Sequence, residues 1–393
     1  MDTKQLFKNA QPHLISIAFF LAIVLTYFSP ILGGKVLQQG DITQHKGMAQ
    51  EIIDYNENHE DYALWTNSMF GGMPAYQIAM RSNNNMVDQF RRGVYKLFPL
   101  KHANAAFLGL VFCYILLLVL GVSPILAAIG SFAFIFSTYN MLIIEAGHNT
   151  KFATLCYIPL MITGVLLTYQ KRYLLGGLIA ALGVALSLIA GHPQITYYFL
   201  MTLMIYFGYE LFHNIREKTL PHFLKATAIL GGAFLLGAGT YTTNLWTTYE
   251  YSKYTIRGGA VLEGDANSTS NGLDKDYALA WSYGKMETMT LLVPRFYGGG
   301  SGQQIDKNYA AYKMLKRGRG EVLSPTYWGT QPFTGGPVYH GAVIGFLFFL
   351  GCFLVKGRLK WWLVSATILS ILLSWGSNLE WFTDLFFYYF PMY

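Results

Sequence analysis

Residues 13–32 read His13-Leu-Ile-Ser-Ile-Ala-Phe-Phe-Leu-Ala-Ile-Val-Leu-Thr-Tyr-Phe-Ser-Pro-Ile-Leu32, with no Asp, Glu, Lys or Arg. A run of roughly 20 apolar residues is what an α-helix needs to cross the hydrocarbon core of a bilayer. The stretch is long for the apolar part of a signal peptide and has no small-x-small cleavage site, so it reads as a retained span. Similar runs recur at 104–120, 123–144, 152–169, 173–190, 195–212, 223–240, 338–355 and 361–375. The sequence therefore predicts an all-α polytopic membrane protein of about nine transmembrane helices. Composition agrees: 53% of residues are hydrophobic and 12% charged, against about 25% charged in soluble domains. A β-barrel would need alternating strands of about 10 residues, a pattern the chain lacks. Cys113, Cys156 and Cys352 lie inside apolar runs and read as small buried hydrophobes.

Two long polar stretches interrupt the spans. The first, 33–103, carries two candidate interfacial helices. One runs over 41–55 with Ile42, Met48, Ile52 and Ile53 on its apolar side, and the other over 86–98 with Phe90, Val94, Leu97 and Phe98. The second long loop is 241–337. Short-loop charge sets an expected orientation. With the N-terminus in the cytoplasm, the cytoplasmic pieces hold Lys4, Lys8, Lys171, Arg172, Arg216, Lys218, Lys225, Lys356, Arg358 and Lys360, and the short outer links hold only Lys151. Both long loops and the links at 145–151 and 191–194 are then expected to share the outer, extracytoplasmic face of the membrane. The net charge of +7 resides in loops and does not point to nucleic acid. No ionisable residue falls mid-span, since Glu145 and Glu210 sit at span ends, so a proton relay has no evident members. Glycine-interrupted spans leave a carrier open.

Gln39-Gly-Asp41-Ile-Thr-Gln-His-Lys46 opens the first long loop. Asp41-Ile-Thr-Gln44 fits a capping-box variant, and a helix cap is the plain reading of Asp41. The chemical reading is a general base: attack of a hydroxyl on a sugar C1 needs one, while a departing phosphate needs cations rather than an acid. His148 and Lys151 follow the third span, either as interface anchors or as a clamp on a lipid phosphate. His192-Pro193-Gln194 reads first as a helix start. Thr248-Tyr-Glu250 through Arg257 and Pro294-Arg295-Phe-Tyr297-Gly-Gly-Gly300 combine charge, aromatic rings and glycine. Sugars stack on aromatic faces and Arg forks phosphate, although solvated loop is the default for each. Gly298–Gly302 is no phosphate loop, because no Lys-Ser/Thr follows. Lys316-Arg-Gly-Arg319 reads as a solvated basic run.

The chain resembles the YfhO-like bacterial membrane proteins, in a form similar to the Bacteroidetes branch. The resemblance is carried by Gln39-Gly-Asp41, Trp65-Thr-Asn with Phe70-Gly-Gly-Met-Pro74, Ala146-Gly-His-Asn-Thr-Lys151 with Pro159, Gly191-His-Pro-Gln194, Tyr249-Glu with Ser252 and Arg257, and Pro294 with Phe296-Tyr-Gly-Gly299. It implies a fold and chemistry like the GT-C glycosyltransferases: a polyprenyl-phosphate sugar donor, a cell-envelope glycan or glycolipid acceptor, and an acidic base in the first outer loop, here Asp41. On that reading Lys151, Arg295, Arg257 and His148 neutralise the donor phosphate. Trp65, Tyr297, His192, Gln194 and Glu250 shape the sugar pocket. Gly40 beside Asp41 leaves no acidic pair, so no metal and no other cofactor is expected. Family members run longer, and the resemblance implies that this chain is C-terminally truncated. The alternatives are a carrier of lipid-linked sugar or polysaccharide, and a non-catalytic assembly protein of the envelope.

Overall fold

The computed structural model describes residues 3–79, 85–96, 98, 101–255, 274–315 and 322–390. Most of them are helical, and they fall into two compact units, Met1–Glu250 and Tyr251–Tyr393.

The first unit begins with α1 (Thr3–Tyr27), followed by the single turn α2 (Ser29–Leu32). Pro30 suits the first turn of α2 and cannot continue α1, so the apolar run 13–32 is two helices rather than one. The polar α3 (Gly40–Asn58) comes next, and then a two-residue hairpin in which β1 (Trp65–Thr66) pairs with β2 (Met73–Pro74). After α4 (Met86–Val94) the chain enters the bundle: α5 (Lys101–Val119), α6 (Pro124–Ile135), α7 (Thr138–Ala146), α8 (Asn149–Tyr169), α9 (Tyr173–Ile189), α10 (Pro193–Arg216) and α11 (Leu220–Gly239), with α12 (Thr242–Ser252) beyond it.

α8 is the centre of this unit. Of its apolar window 83% is buried, against 44% for the next most enclosed span, α5. It packs on α5, α9, α11, α10 and α7. The α8–α9 contact is made by small residues. A methyl at Gly164 would run into the Ala180 backbone, and one at Gly183 would sit 2.7 Å from Met161 Cγ. Helices in a bilayer gain nothing by hiding apolar surface from lipid, so they associate through close backbone approach of this kind. At Gly237 of α11 a Cβ would likewise lie 2.7 Å from Val184 Cβ on α9.

The apolar run 123–144 is also broken. Ser137 starts a new helix, and Asn140 Nδ2 donates to the carbonyls of Phe134 (2.9 Å) and Ile135 (3.1 Å) that the interruption frees.

The second unit holds α13 (Lys275–Ala278), a 3₁₀ segment (Met286–Leu291), the antiparallel pair β3 (Gln303–Ile305) and β4 (Val322–Ser324), α14 (Ala310–Leu315), α15 (Ala342–Leu354), α16 (Arg358–Ser374) and α17 (Glu380–Tyr389). The chain turns by 108° between α16 and the segment Gly376–Tyr389. Polar groups hold that corner: Tyr283 N–H donates to Ser374 O (2.7 Å), Trp375 Nε1 to Thr288 Oγ1 (2.8 Å) and Ser377 N–H to Ser282 Oγ (2.8 Å).

Among the described residues six helical stretches are long and apolar enough to cross a membrane, with α6 and α7 taken together as one, or seven if the bent pair counts as one span; α9 and α15 are apolar but shorter. Bulky apolar side chains lie bare on these helices, among them Leu235 and Leu236 (72% exposed each) and Phe353 (83%). Such faces belong in lipid rather than water. The chain is a multi-pass helical membrane protein.

Candidate functional site

Gln39 and Asp41 open α3, and the sequence separates them from the 145–151 link by more than 100 residues. The fold brings the two together. The N-cap of α3 is Gln39, with extended backbone, and its side chain makes no capping bond. It turns instead into the bundle, where it is 5% exposed. Gln39 Nε2 donates to Ile144 O and to Asn149 Oδ1 (3.0 Å), and Asn149 Nδ2 returns a bond to Gln39 Oε1 (3.1 Å). Two reciprocal amide bonds plus a carbonyl bond fix the start of α3 to the junction of α7 and α8.

That junction is shaped by Gly147. It closes α7 with φ +96°, and the His148 N–H reaches back to Ile143 O at 2.8 Å, a terminator that favours glycine. There is no room for a side chain either: a Cβ here would lie 3.0 Å from Asp41 Cβ and 3.4 Å from Gln39 Cβ. Asp41 is thus pressed against the turn that presents His148. Its Oδ2 stands 2.9 Å from His148 Nε2, with the two side chains 52% and 42% exposed, so both are reachable from outside.

Asp41 is therefore not the cap of α3. It lies in the first helical turn, where a negative charge is favoured by the helix dipole, and its carboxylate is committed to His148. His148 is the N-cap residue of α8, and Lys151 follows in its first turn, near enough to Asp41 to feel its charge.

The 191–194 link joins the same cluster. Gly191 (φ +88°) ends α9 beside Thr150, and His192 is the N-cap residue of α10 with Pro193 at the first helical position, as the sequence predicts. Burial, then the charges of Lys151 and His148, hold the His192 imidazole below the ordinary histidine range. Gln194 is exposed and bonded to Tyr198 OH (3.1 Å). The starts of three helices, α3, α8 and α10, thus gather a carboxylate, two histidines and a lysine.

The first loop is braced from α3. The Glu51 carboxylate accepts from Thr66 Oγ1 and from the Ser68 N–H (3.1 Å), and hydrogen bonds from Thr66 and Ser68 hold its pKa below the usual carboxylate value. Trp65, next in the hairpin, is 55% exposed and lies flat against Gly72, where a Cβ would come 2.8 Å from its Nε1. Glu250 is half-buried at the end of the first unit.

In the second unit Arg295 adopts φ +57° and donates from Nη1 to Tyr309 OH (3.2 Å), and Tyr297 stacks on Trp328 with ring centres 5.7 Å apart. Arg257 lies outside the described residues. Among the described residues no group of three or more His, Cys, Asp or Glu side chains is placed to hold a metal ion.

Sequence reasoning missed Gln39 and Asn149 as the pair that positions Asp41, and Gly147 as the contact behind it. Their signal was present: amide residues flank the ends of apolar runs, where a polar side chain has few partners except another polar link. Compared with known proteins, the chain matches no family model, no curated protein and no solved structure.

Proposed function

We propose that this protein is a membrane glycosyltransferase that moves a sugar from a polyprenyl-phosphate donor to an extracytoplasmic acceptor of the bacterial cell envelope, inverting the configuration at C1. The observation that carries the reading is the Asp41–His148 contact at 2.9 Å, reachable from outside and flanked by Lys151 and His192. A carboxylate poised as base next to the Lys151 ammonium at the start of a membrane helix is the chemistry this transfer needs. The base takes the acceptor hydroxyl proton, the hydroxyl oxygen bonds to C1, and the C1–O bond to phosphate breaks with its electron pair leaving on the phosphate. No acid is required for a leaving group that is already anionic, only positive charge.

In this reading Asp41 is the base and His148 holds its carboxylate in place. Lys151 and the backbone N–H groups at the start of α8 face the departing phosphate, a position helix N-termini favour. Trp65 borders the sugar. The orientation places the N-terminus in the cytoplasm, with the long loops outside, on the strength of the basic residues in the short loops.

The test uses the protein in nanodiscs with a panel of undecaprenyl-phosphate sugars and water as the acceptor: slow transfer of the sugar to water leaves free undecaprenyl phosphate, which is followed by mass spectrometry. Release from at least one donor supports the transferase. Movement of intact donor between leaflets with no bond cleavage would favour a carrier.

A further inference from the structure

The second unit carries an exposed aromatic platform that the transfer chemistry does not require. Trp328 is 71% exposed. One face of its indole rests on Tyr297, with planes 30° apart, and its edge abuts Gly298, where a Cβ would lie 2.6 Å from Trp328 Cδ1. Gly298 has φ +83°, a conformation that leaves the ring free to approach the backbone. The Trp is held by a polar frame. Its backbone N–H donates to Tyr297 O (3.3 Å), Thr326 N–H to Gly300 O (3.0 Å) and Thr326 Oγ1 to Gln303 Oε1 (2.6 Å). The adjacent Tyr327 is tied to a buried carboxylate: Glu287, 4% exposed, accepts from Tyr327 OH (2.8 Å) and Gly284 N–H (3.1 Å).

A tryptophan that only anchors in a lipid interface needs no fixed orientation and no turn built of polar groups. This one is immobilised by stacking on one side and bare on the other, and its stacking partner Tyr297 lies two residues along the chain from Arg295. Arg295 is exposed and, among the described residues, makes one hydrogen bond, to Tyr309 OH, so further N–H donors of its fork are available for an anion.

We infer that the Trp328–Tyr297 platform with Arg295 is a glycan-binding site of the second unit, and that its ligand is an acidic polysaccharide. The C–H face of a pyranose lies flat on the indole, and a carboxylate or phosphate substituent pairs with the guanidinium. The site stands on its own geometry and does not depend on Asp41 chemistry.

The experiment reads binding with no sugar donor present, so its outcome is separate from that of the transfer assay. Full-length protein in nanodiscs is titrated with hexagalacturonate, maltohexaose and chitohexaose by saturation-transfer NMR. The wild type binds hexagalacturonate more tightly than either neutral probe. Trp328→Ala weakens it about tenfold, equivalent to about 1.4 kcal/mol. Trp328→Phe, which keeps a ring on Tyr297, stays within about threefold, an aromatic face being retained. Arg295→Gln removes the preference for the acidic probe while leaving the neutral ones unchanged. No binding of any probe by the wild type overturns the proposal. So does a Trp328→Ala protein that binds like wild type, including one whose only defect is weaker association with lipid vesicles.

Discussion

Gly147→Ala tests how the fold positions the site, and Gly191→Ala is its matched control. Both glycines follow a helix and have nearly the same backbone, φ +96° and +88°. Placing an L side chain in that left-handed region costs roughly 1–2 kcal/mol in either case. The surroundings differ. At Gly191 the new methyl meets only Thr150 Cγ2, at 3.7 Å, an ordinary contact. At Gly147 it meets Asp41 Cβ at 3.0 Å, tighter than carbon atoms usually pack, with Gln39 Cβ at 3.4 Å and Asp41 N at 3.5 Å close behind. The start of α3 must move away by a few tenths of an ångström or more, and it carries Asp41 off His148. A misplacement of about 1 Å costs a reacting group on the order of 10²-fold, so a smaller shift predicts a loss of about tenfold. The assays are thermal unfolding in nanodiscs and donor hydrolysis. Both variants should lose similar stability, and Gly147→Ala alone should lose Asp41-dependent turnover. Equal turnover in the two variants would refute the claim that the Gly147 contact sets the position of Asp41.

Three further outcomes follow from particular contacts. Gly164→Ala drives a methyl into the Ala180 backbone at the α8–α9 contact and should destabilise the bundle by about 1–3 kcal/mol, the usual range for overpacking, measured as a lowered unfolding midpoint. Glu51→Gln weakens the bonds to Thr66 and Ser68. Limited proteolysis should then cut within 64–79 sooner than in the wild type. Because those bonds lower the Glu51 pKa, the protection they give holds above the unfolded value of about 4.5 and fades as pH falls through the folded one. His192 has the opposite sense: its folded pKa is lowered, so as pH drops below about 6.5 the unfolded chain takes up a proton that the folded one resists, and stability falls. His192→Gln should flatten that acid-side decline in unfolding temperature.

Much of the fold is legible because lipid imposes it. Each predicted apolar run contains helix, that of 338–355 only over Ala342–Leu354, since an apolar run in lipid satisfies its backbone as a helix. What the runs do not reveal is where they break. Pro30 divides the first run, Asn140 supplies the bonds that let the third part at Ser137, and the corner after Ser374 depends on Tyr283, Thr288 and Ser282, about 90 residues away. A helix predicted over 41–55 is present as α3, and one predicted over 86–98 is the shorter α4.

The site is legible as a list of polar links and not as an arrangement. Asp41-Ile-Thr-Gln44 reads as a capping box, yet the cap position falls to Gln39, because the Gln39 side chain has buried partners in Asn149 and Ile144 that local pattern does not contain. His148 reads either as an interface anchor or as a phosphate ligand, and neither reading contains the contact of its Nε2 with Asp41. Both differences arise from pairings between residues over 100 positions apart.

The central claim is that Asp41 is a base. Its most direct test compares wild type and Asp41→Asn for release of undecaprenyl phosphate from the donor the wild type accepts. Asn is nearly isosteric and can still hydrogen-bond to His148, so folding should persist, with the unfolding temperature changed little. Loss of a general base predicts a fall of about 10²–10⁴-fold in release. Release at the wild-type rate from a folded Asp41→Asn protein would contradict the account.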